Sequence, residues 1–520
     1  MKIYNVDDIG REMIFTDVDK ITPDNVLSVL NDAFDVHMRN VSDEIFLFDY
    51  VAGRQPILYR EKDVRPEINE KVVVNMAYRI KEFKVGYEFS NPITYVRGGD
   101  VKNIKDKNVN KDDDERITAL NEMMAEVSKS TEDVSLADAF NTCGLGYRLV
   151  MPNEDEDDMA FFKISTLNPM NAFVVYKNDA FRKPMLGCTY SISRVDGTVK
   201  LGAWSEKNYY EVTKGMVTNS TFDNSLIVKP WTYGYIPVIE YANKRNVLGR
   251  SFSSFEPVIS MLDAINTINS DRINDVSQFV QSLLWFHNCD IDEDKKQAIV
   301  DGNGMIVTKS AGDGRDAKIT YLTQTLNQSE LQTYVDYLKQ DVQEIVGVPM
   351  FGISTGGSTG SATSMSNGYS EADTRAMSSE QEFKKAERLM LKGILKIARH
   401  DKDRDIYDIG SLTLSDIGIK FSRNKTYNLA DKVNSWATLI KNGADPLRAT
   451  EIAAFTPDSQ QFTSDSEEMI KKIQESYTRD ESADDEEVRS NTEIDYTRND
   501  RIMQDNSDQP QRSPFGEING

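Results

Sequence analysis

Apolar and polar positions along this chain follow two periods, one helical and one of strands. In residues 24–40, Val26, Leu27, Val29, Leu30, Phe34 and Val36 recur at helical spacing after the start signal Thr22-Pro23-Asp24, which predicts an opening helix. A loop with Gly53 and Pro56 leads to a second helical pattern over 72–83, which Gly86-Tyr87 and Asn91-Pro92 interrupt before the β-prone Ile93-Thr94-Tyr95-Val96. The polar stretch 100–116 ends in Asp112, Asp113, Asp114 and Glu115, acids suited to a helix start, and Ile117, Leu120, Met123, Met124 and Val127 then keep helical spacing. Between Gly144 and Tyr241 the runs 147–151, 172–176, 198–204, 209–212 and 238–241 are short, β-branched and aromatic, and turn clusters separate them. They predict a mostly β sub-domain.

The helical period returns over 254–283, with Leu262, Ile265, Ile273 and Val276 among its apolar positions, a stretch of about 45 Å as helix. Its middle carries Asn266, Asn269, Ser270, Asp271, Arg272, Asn274 and Asp275, so only a narrow seam can be dry and the helix needs neighbours. Strand-like runs at 284–286, 304–308 and 318–323, around a short helix near 294–300, form a compact excursion. A second amphipathic helix then runs from 327 through Leu331, Val335, Leu338 and Val342, and Gly347 to Pro349 end it. Residues 350–368 hold five glycines, five serines and no charge, a composition of mobile loops. A third long helix follows over 369–399, then strands at 412–414 and 417–421 and helices at 429–441 and 446–454.

Composition narrows the function. The chain has 520 residues, with 61 lysines and arginines against 84 aspartates and glutamates, a formal charge of −23. A cationic coat for DNA or anionic lipid is thereby excluded. Length predicts several structural units. Cys143, Cys188 and Cys289 are far apart and odd in number, which fits buried thiols in a reducing compartment. Residues 1–10 carry acids where a signal peptide needs an apolar stretch, and no run approaches the roughly 20 apolar residues of a membrane span, so cytoplasmic assembly is expected. Residues 465–500 hold 13 acids against 5 bases, and the terminal stretch, 479–520, reads as an acidic disordered tail.

The sharpest enzymatic pattern is GxSxG, present twice as Gly352-Ile353-Ser354-Thr355-Gly356 and Gly356-Gly357-Ser358-Thr359-Gly360. A nucleophile elbow needs a strand before the serine, whereas the segment here is preceded by helix, and only His400 lies downstream. The four consecutive acids at 112–115 cannot easily converge on one ion, and three isolated histidines give no zinc cluster. Phosphate-binding glycine motifs are absent. No cofactor is expected.

Five blocks carry a resemblance to the portal proteins of tailed bacteriophages. They are Tyr50-Val51-Ala52-Gly53-Arg54-Gln55-Pro56-Ile57; Asn75 with Lys84-Val85-Gly86-Tyr87 and Asn91-Pro92-Ile93-Thr94-Tyr95; Cys143-Gly144-Leu145-Gly146-Tyr147; Asn168-Pro169 with Ala172-Phe173-Val174-Val175-Tyr176; and Ile236-Pro237-Val238-Ile239-Glu240-Tyr241 followed by 256–279. The resemblance implies an α+β fold with a helix-rich wing, two long stem helices, a small α/β clip and a helical crown. In this chain these correspond to the wing at 1–250 and 367–425, the stem at 251–283 and 327–346, the clip at 284–326, a tunnel loop at 347–366 and the crown at 426–478.

The resemblance also implies a homo-oligomeric ring, usually a dodecamer, at one capsid vertex of the virion. Double-stranded DNA passes through it without sequence-specific contacts. Its partners would be the terminase large subunit, a head-tail adaptor, and the major capsid and scaffolding proteins, with no membrane. On this likeness Gly352, Ser354, Gly356, Gly357, Ser358 and Gly360 lie in the tunnel loop, and Asp292, Glu293, Asp294, Lys295 and Lys296 are docking charges of the clip. Leu262, Ile265, Ile273, Val276, Leu331, Val335, Leu338 and Val342 pack the stem. The alternatives are another capsid or tail structural protein and a serine hydrolase using Ser354 or Ser358.

Overall fold

The computed structural model describes residues 9–63, 66–98, 111–214, 222, 226–280, 283–287, 289–290, 309–310, 318–322, 328–349, 369–423 and 429–453, with a few positions between 462 and 471. The chain divides into two units, Met1–Asn424 and Lys425–Gly520. In chain order the first holds β1 (Ile14–Thr16), α1 (Val26–Val51), α2 (Met76–Phe89), β2 (Thr94–Arg97), α3 (Lys111–Glu126), α4 (Lys129–Thr142), β3 (Leu145–Pro152), β4 (Phe162–Leu167), β5 (Ala172–Lys177), β6 (Pro184–Ile192), β7 (Val199–Trp204), β8 (Asn208–Lys214), β9 (Ile227–Pro230) and β10 (Val238–Ala242). There follow α5 (Ile259–Val280), β11 (Leu283–His287), β12 (Cys289–Asp290), β13 (Lys309–Ser310), β14 (Lys318–Leu322), α6 (Gln328–Val346), α7 (Tyr369–His400) and β15 (Ile417–Lys420). In the second unit α8 (Leu429–Lys441) and α9 (Pro446–Ala453) pack through Ile440 and Ala449, and Trp436 Nε1 donates to Thr450 Oγ1 at 3.0 Å. The fold is α+β.

A six-stranded sheet in the order β1-β5-β6-β7-β8-β9 is antiparallel except for the parallel pair β1 and β5. Strand β5 explains how two cores share it. Its residues alternate: Phe173 and Val175 join Val29, Leu30 and Phe34 of α1, whereas Ala172, Val174 and Tyr176 face a second core with Phe255, Leu262 and Ile265. A strand buried on both faces reads as an unbroken apolar run, as 172–176 does. A three-stranded sheet, β10-β3-β4, and the pair β15-β2 complete the body, and a third core gathers α3, α4 and α7 around Phe140, Phe162, Phe383 and Met390.

Helix α1 runs eleven residues past the predicted 24–40 stretch and buries Glu44. Neither carboxyl oxygen of Glu44 has a hydrogen-bond partner among the described residues, and burial pushes its pKa from 4.5 up to about 7, against the pull of Arg11. The folded chain therefore holds a proton that the unfolded chain has released. This stabilisation is fully present below pH 4.5 and is lost as the pH rises through about 7. Glu44→Gln is expected to match the parent at pH 4.5 and to exceed it by about 2–3 kcal/mol at pH 8 in urea unfolding. An equal difference at both pH values would refute this.

The predicted helix over 72–83 is displaced: it begins at Met76, where Asn75 caps it by accepting from Tyr78 N at 3.2 Å, and continues through Gly86 to Phe89. Residues 412–414 form no strand. Asp405 takes the N–H groups of Ile409 and Gly410 at 2.8 and 2.6 Å, Asp416 takes that of Thr413 at 2.8 Å, and these carboxylates hold the backbone in turns. The predicted strand at 304–308, the helix near 294–300, the glycine- and serine-rich loop and the acidic tail lie outside the described residues.

Candidate functional site

The helices α5 and α6 pack on one another, and their roots are built into the body. At that root Phe255, Val258, Leu262 and Ile265 are buried with Leu47, Tyr50 and Ile80, and Val342 and Val346 of α6 enter the same core with Val348, just past its end. Buried charge anchors the entry: Arg11 donates from Nη1 to Glu256 Oε1 at 3.0 Å, its Nη2 forms a second bond to Oε2, and both side chains are fully buried. Such a pair sets one geometry for residues 10–11 against 251–256, because either charge alone would be stranded. Further along, Tyr50 donates to Asp263 at 2.8 Å and Arg60 to Asp271 at 2.7 Å, and Arg272 crosses to Gln332 of α6 at 2.7 Å.

The polar middle of α5 finds its neighbour inside the chain. Asn266, Ser270 and Asn274 stand four residues apart, on one helix face, and accept from the backbone N–H of Val74, Val72 and Glu70 at 2.7, 2.9 and 2.6 Å. Asn274 also donates to Glu70 O at 3.2 Å, and Asn266 to Gln55 Oε1 at 2.5 Å. Four helical residues rise about 6.0 Å and two extended residues about 6.6 Å, so every second amide of an extended segment meets one side chain of the ladder. This is why residues 72–75 leave the helix that their apolar spacing predicted. The four-residue spacing of Asn266, Ser270 and Asn274 is the sequence signal for this ladder, which apolar periodicity does not register.

The far end of α6 is closed by backbone chemistry. Gly347 adopts φ +68°, Val348 N donates to Gln343 O at 2.9 Å, and Arg375 of α7 donates to Glu344 O at 3.1 Å and to Ile345 O. A side chain at Gly347 would be strained by that φ and would collide with Arg375.

Of the predicted stem residues, Leu262, Ile265, Val335 and Val342 are buried, Leu331 and Leu338 are half-buried, and Ile273 and Val276 are 43% and 50% exposed. On α6 Tyr334 and Tyr337 are 56% and 61% exposed, and both line a shallow groove of about 350 Å³ with Ser329, Glu330 and Thr333. Charge on the two helices is one-sided: Asp263, Asp271, Asp275, Glu330, Asp336, Asp341 and Glu344 stand against Arg272 and Lys339. The tunnel-loop positions Gly352, Ser354, Gly356, Gly357, Ser358 and Gly360 and the clip positions Asp292, Glu293, Asp294, Lys295 and Lys296 lie outside the described residues.

His400 sits at the end of α7, bonded to Asp401 Oδ1 at 2.9 Å and packed on the Tyr233 ring at 4.4 Å. Among the described residues no group of three or more His, Cys, Asp or Glu could hold a metal, and no helix is long and apolar enough to cross a membrane.

The mixed α/β body carries two acidic helices, α5 and α6, and between them in the chain lie two small strand pairs, β11-β14 and β12-β13. Over residues 32–483, most of its length, the chain matches the family described as phage portal protein, SPP1 Gp6-like, and it belongs to that family. The family is one of virion structural proteins. Among curated proteins none matches the chain.

Proposed function

We propose that copies of this chain close into a ring, a dodecamer at one capsid vertex, through which double-stranded DNA enters and leaves the head. Family membership over 32–483 is the observation that carries this reading. The stem helices supply its physics. Apart from Asp263 and Asp271, which Tyr50 and Arg60 hold, five carboxylates stand against Arg272 and Lys339 on the two helices, and a wall that they lined would repel phosphate, so a duplex would make few counterion-releasing contacts and slide rather than stick. Exposed Tyr334, Tyr337, Ile273 and Val276 are apolar surface that a side-by-side copy would cover.

In this reading α5 and α6 form the stem, 284–326 the clip that docks the terminase large subunit and later a head-tail adaptor, and 347–366 the tunnel loop. Residues 1–250 and 367–425 form the wing, 426–478 the crown and 479–520 an acidic tail. The capsid and scaffolding proteins surround the wing, and assembly takes place in the host cytoplasm. No residue acts catalytically.

Negative-stain imaging with mass photometry of the purified full chain tests the proposal: rings with a central pore are expected. Tyr334→Glu with Tyr337→Glu is expected to shift mass toward monomer, because ring closure would bury both carboxylates. A parent chain that stays monomeric at micromolar concentration would overturn the reading.

A further inference from the structure

The outer face of α7 carries a line of positive charge that no carboxylate offsets. Lys385, Arg388, Lys392, Lys396 and Arg399 follow one another at steps of three and four, so they fall within about 80° of the helix circumference and span about 21 Å. Lys385, Arg388 and Lys392 are exposed, and among the described residues their side chains have no ion pair or hydrogen bond. Lys396 donates to Gly234 O, and Arg399 donates to Gly410 O at 2.7 Å and to Leu412 O at 2.8 Å. Those acceptors are carbonyls, so neither charge is neutralised. Glu387, the one acid of residues 385–399, is buried on the opposite face of the helix. Glu206 lies near Lys396 but is held by Lys183 at 2.8 Å, a pair that adds no net charge. In a chain of formal charge −23 this stripe is a local reversal of sign.

The chemistry of the stripe selects its partner. The core of a protein interface is apolar and depleted in charge. Here Leu389, 42% exposed, is the one large apolar side chain exposed over 385–399. A phosphate backbone asks for the reverse, a row of cations on a rigid support. Met390, Leu391, Ile394 and Ile397 bury the opposite face of α7 in the core and fix the row in place. Each strand of a duplex places one phosphate per about 3.4 Å of axis, so the stripe faces about six of them. Residues 385–399 contain no Asn or Gln to pair with adenine, which leaves backbone contacts dominant.

We infer that the α7 stripe, Lys385 to Arg399, binds the phosphate backbone of double-stranded DNA at a site outside the acidic stem. The choice of DNA among phosphate polymers rests on the channel reading above. The stem passes a duplex, and the stripe holds one without regard to sequence.

Fluorescence anisotropy of a labelled duplex of about 30 base pairs, titrated with the full chain between about 50 and 200 mM salt, tests this. The parent is expected to bind two unrelated sequences alike. Lys385→Gln, Arg388→Gln and Lys392→Gln together are expected to weaken binding about tenfold or more at the lower salt and to reduce the slope of log affinity against log salt by about 2.7. Lys20→Gln, Lys163→Gln and Lys200→Gln together remove the same charge from exposed positions elsewhere and are expected to leave both quantities unchanged. A parent that binds no duplex at the lower salt would overturn the inference, as would equal losses in the two triple variants. A stripe variant that keeps duplex affinity but loses assembly by mass photometry would replace it with a contact between copies. A parent that binds through the stripe yet stays monomeric would remove the ring reading and leave this one standing.

Discussion

Replacing Glu387 with alanine is expected to destabilise the first unit by about 3–5 kcal/mol. Glu387 lies on α7 with no exposure, and four groups converge on it: Arg148 Nη1 at 3.0 Å, Tyr241 Oη at 2.9 Å, Tyr95 Oη at 2.7 Å and Lys129 Nζ at 3.3 Å. Asp133 completes the cluster, accepting from Lys129 at 2.6 Å and from Arg148 at 2.6 Å. Two cations and two carboxylates balance inside a core where a lone charge is costly. Alanine leaves Arg148 and Lys129 to share Asp133 and strips two tyrosine hydroxyls of their acceptor. Glu387→Gln keeps an acceptor and shape but not the charge, and should lose clearly less. Urea midpoints followed by tryptophan fluorescence measure both. A loss below 1 kcal/mol for Glu387→Ala would mean that water reaches the cluster.

That cluster also shows why some elements escaped the sequence. Helix α4 was not expected, because Lys129 and Asp133, which read as surface, are among its buried positions and its apolar spacing is correspondingly weak. By contrast α5, α6 and α7 were legible to within a few residues, since their apolar stripes extend over many turns. Strands β4, β6 and β9 were missed for differing reasons. β4 alternates only over Phe162 and Ile164, β6 carries Pro184, Gly187 and Cys188 in place of a β-branched run, and β9 is exposed throughout. The predicted stem seam is divided by position. Leu262 and Ile265 are buried because the body surrounds them, and Ile273 and Val276, farther along the same helix, are covered by nothing in a single chain as described. Periodicity marks an apolar face but not which molecule covers it.

The ladder on α5 supplies the second large effect. Asn266→Leu with Ser270→Ala and Asn274→Leu is expected to cost about 3 kcal/mol, because the Val74, Val72 and Glu70 amides and the Gln55 carboxamide lose partners and an extended segment cannot re-pair them within the fold. Part of that segment can turn to water, which keeps the total below a simple sum of buried losses. Hydrogen exchange separates this from a general loosening: the amides of Val72 and Val74 should exchange at least tenfold faster, while those of β5, in the core shared with α1, keep their relative protection. Leucine at 266 and 274 would raise the apolarity of α5, so a variant as stable as the parent would show that packing, not hydrogen bonding, holds residues 70–74 on the helix. Protection unchanged at Val72 and Val74 would show the same. If the ladder does hold them, α5 emerges from the body with one polar face already satisfied by its own chain. Its apolar residues beyond the ladder, Ile273 and Val276, then remain as surface for a neighbouring copy to bury.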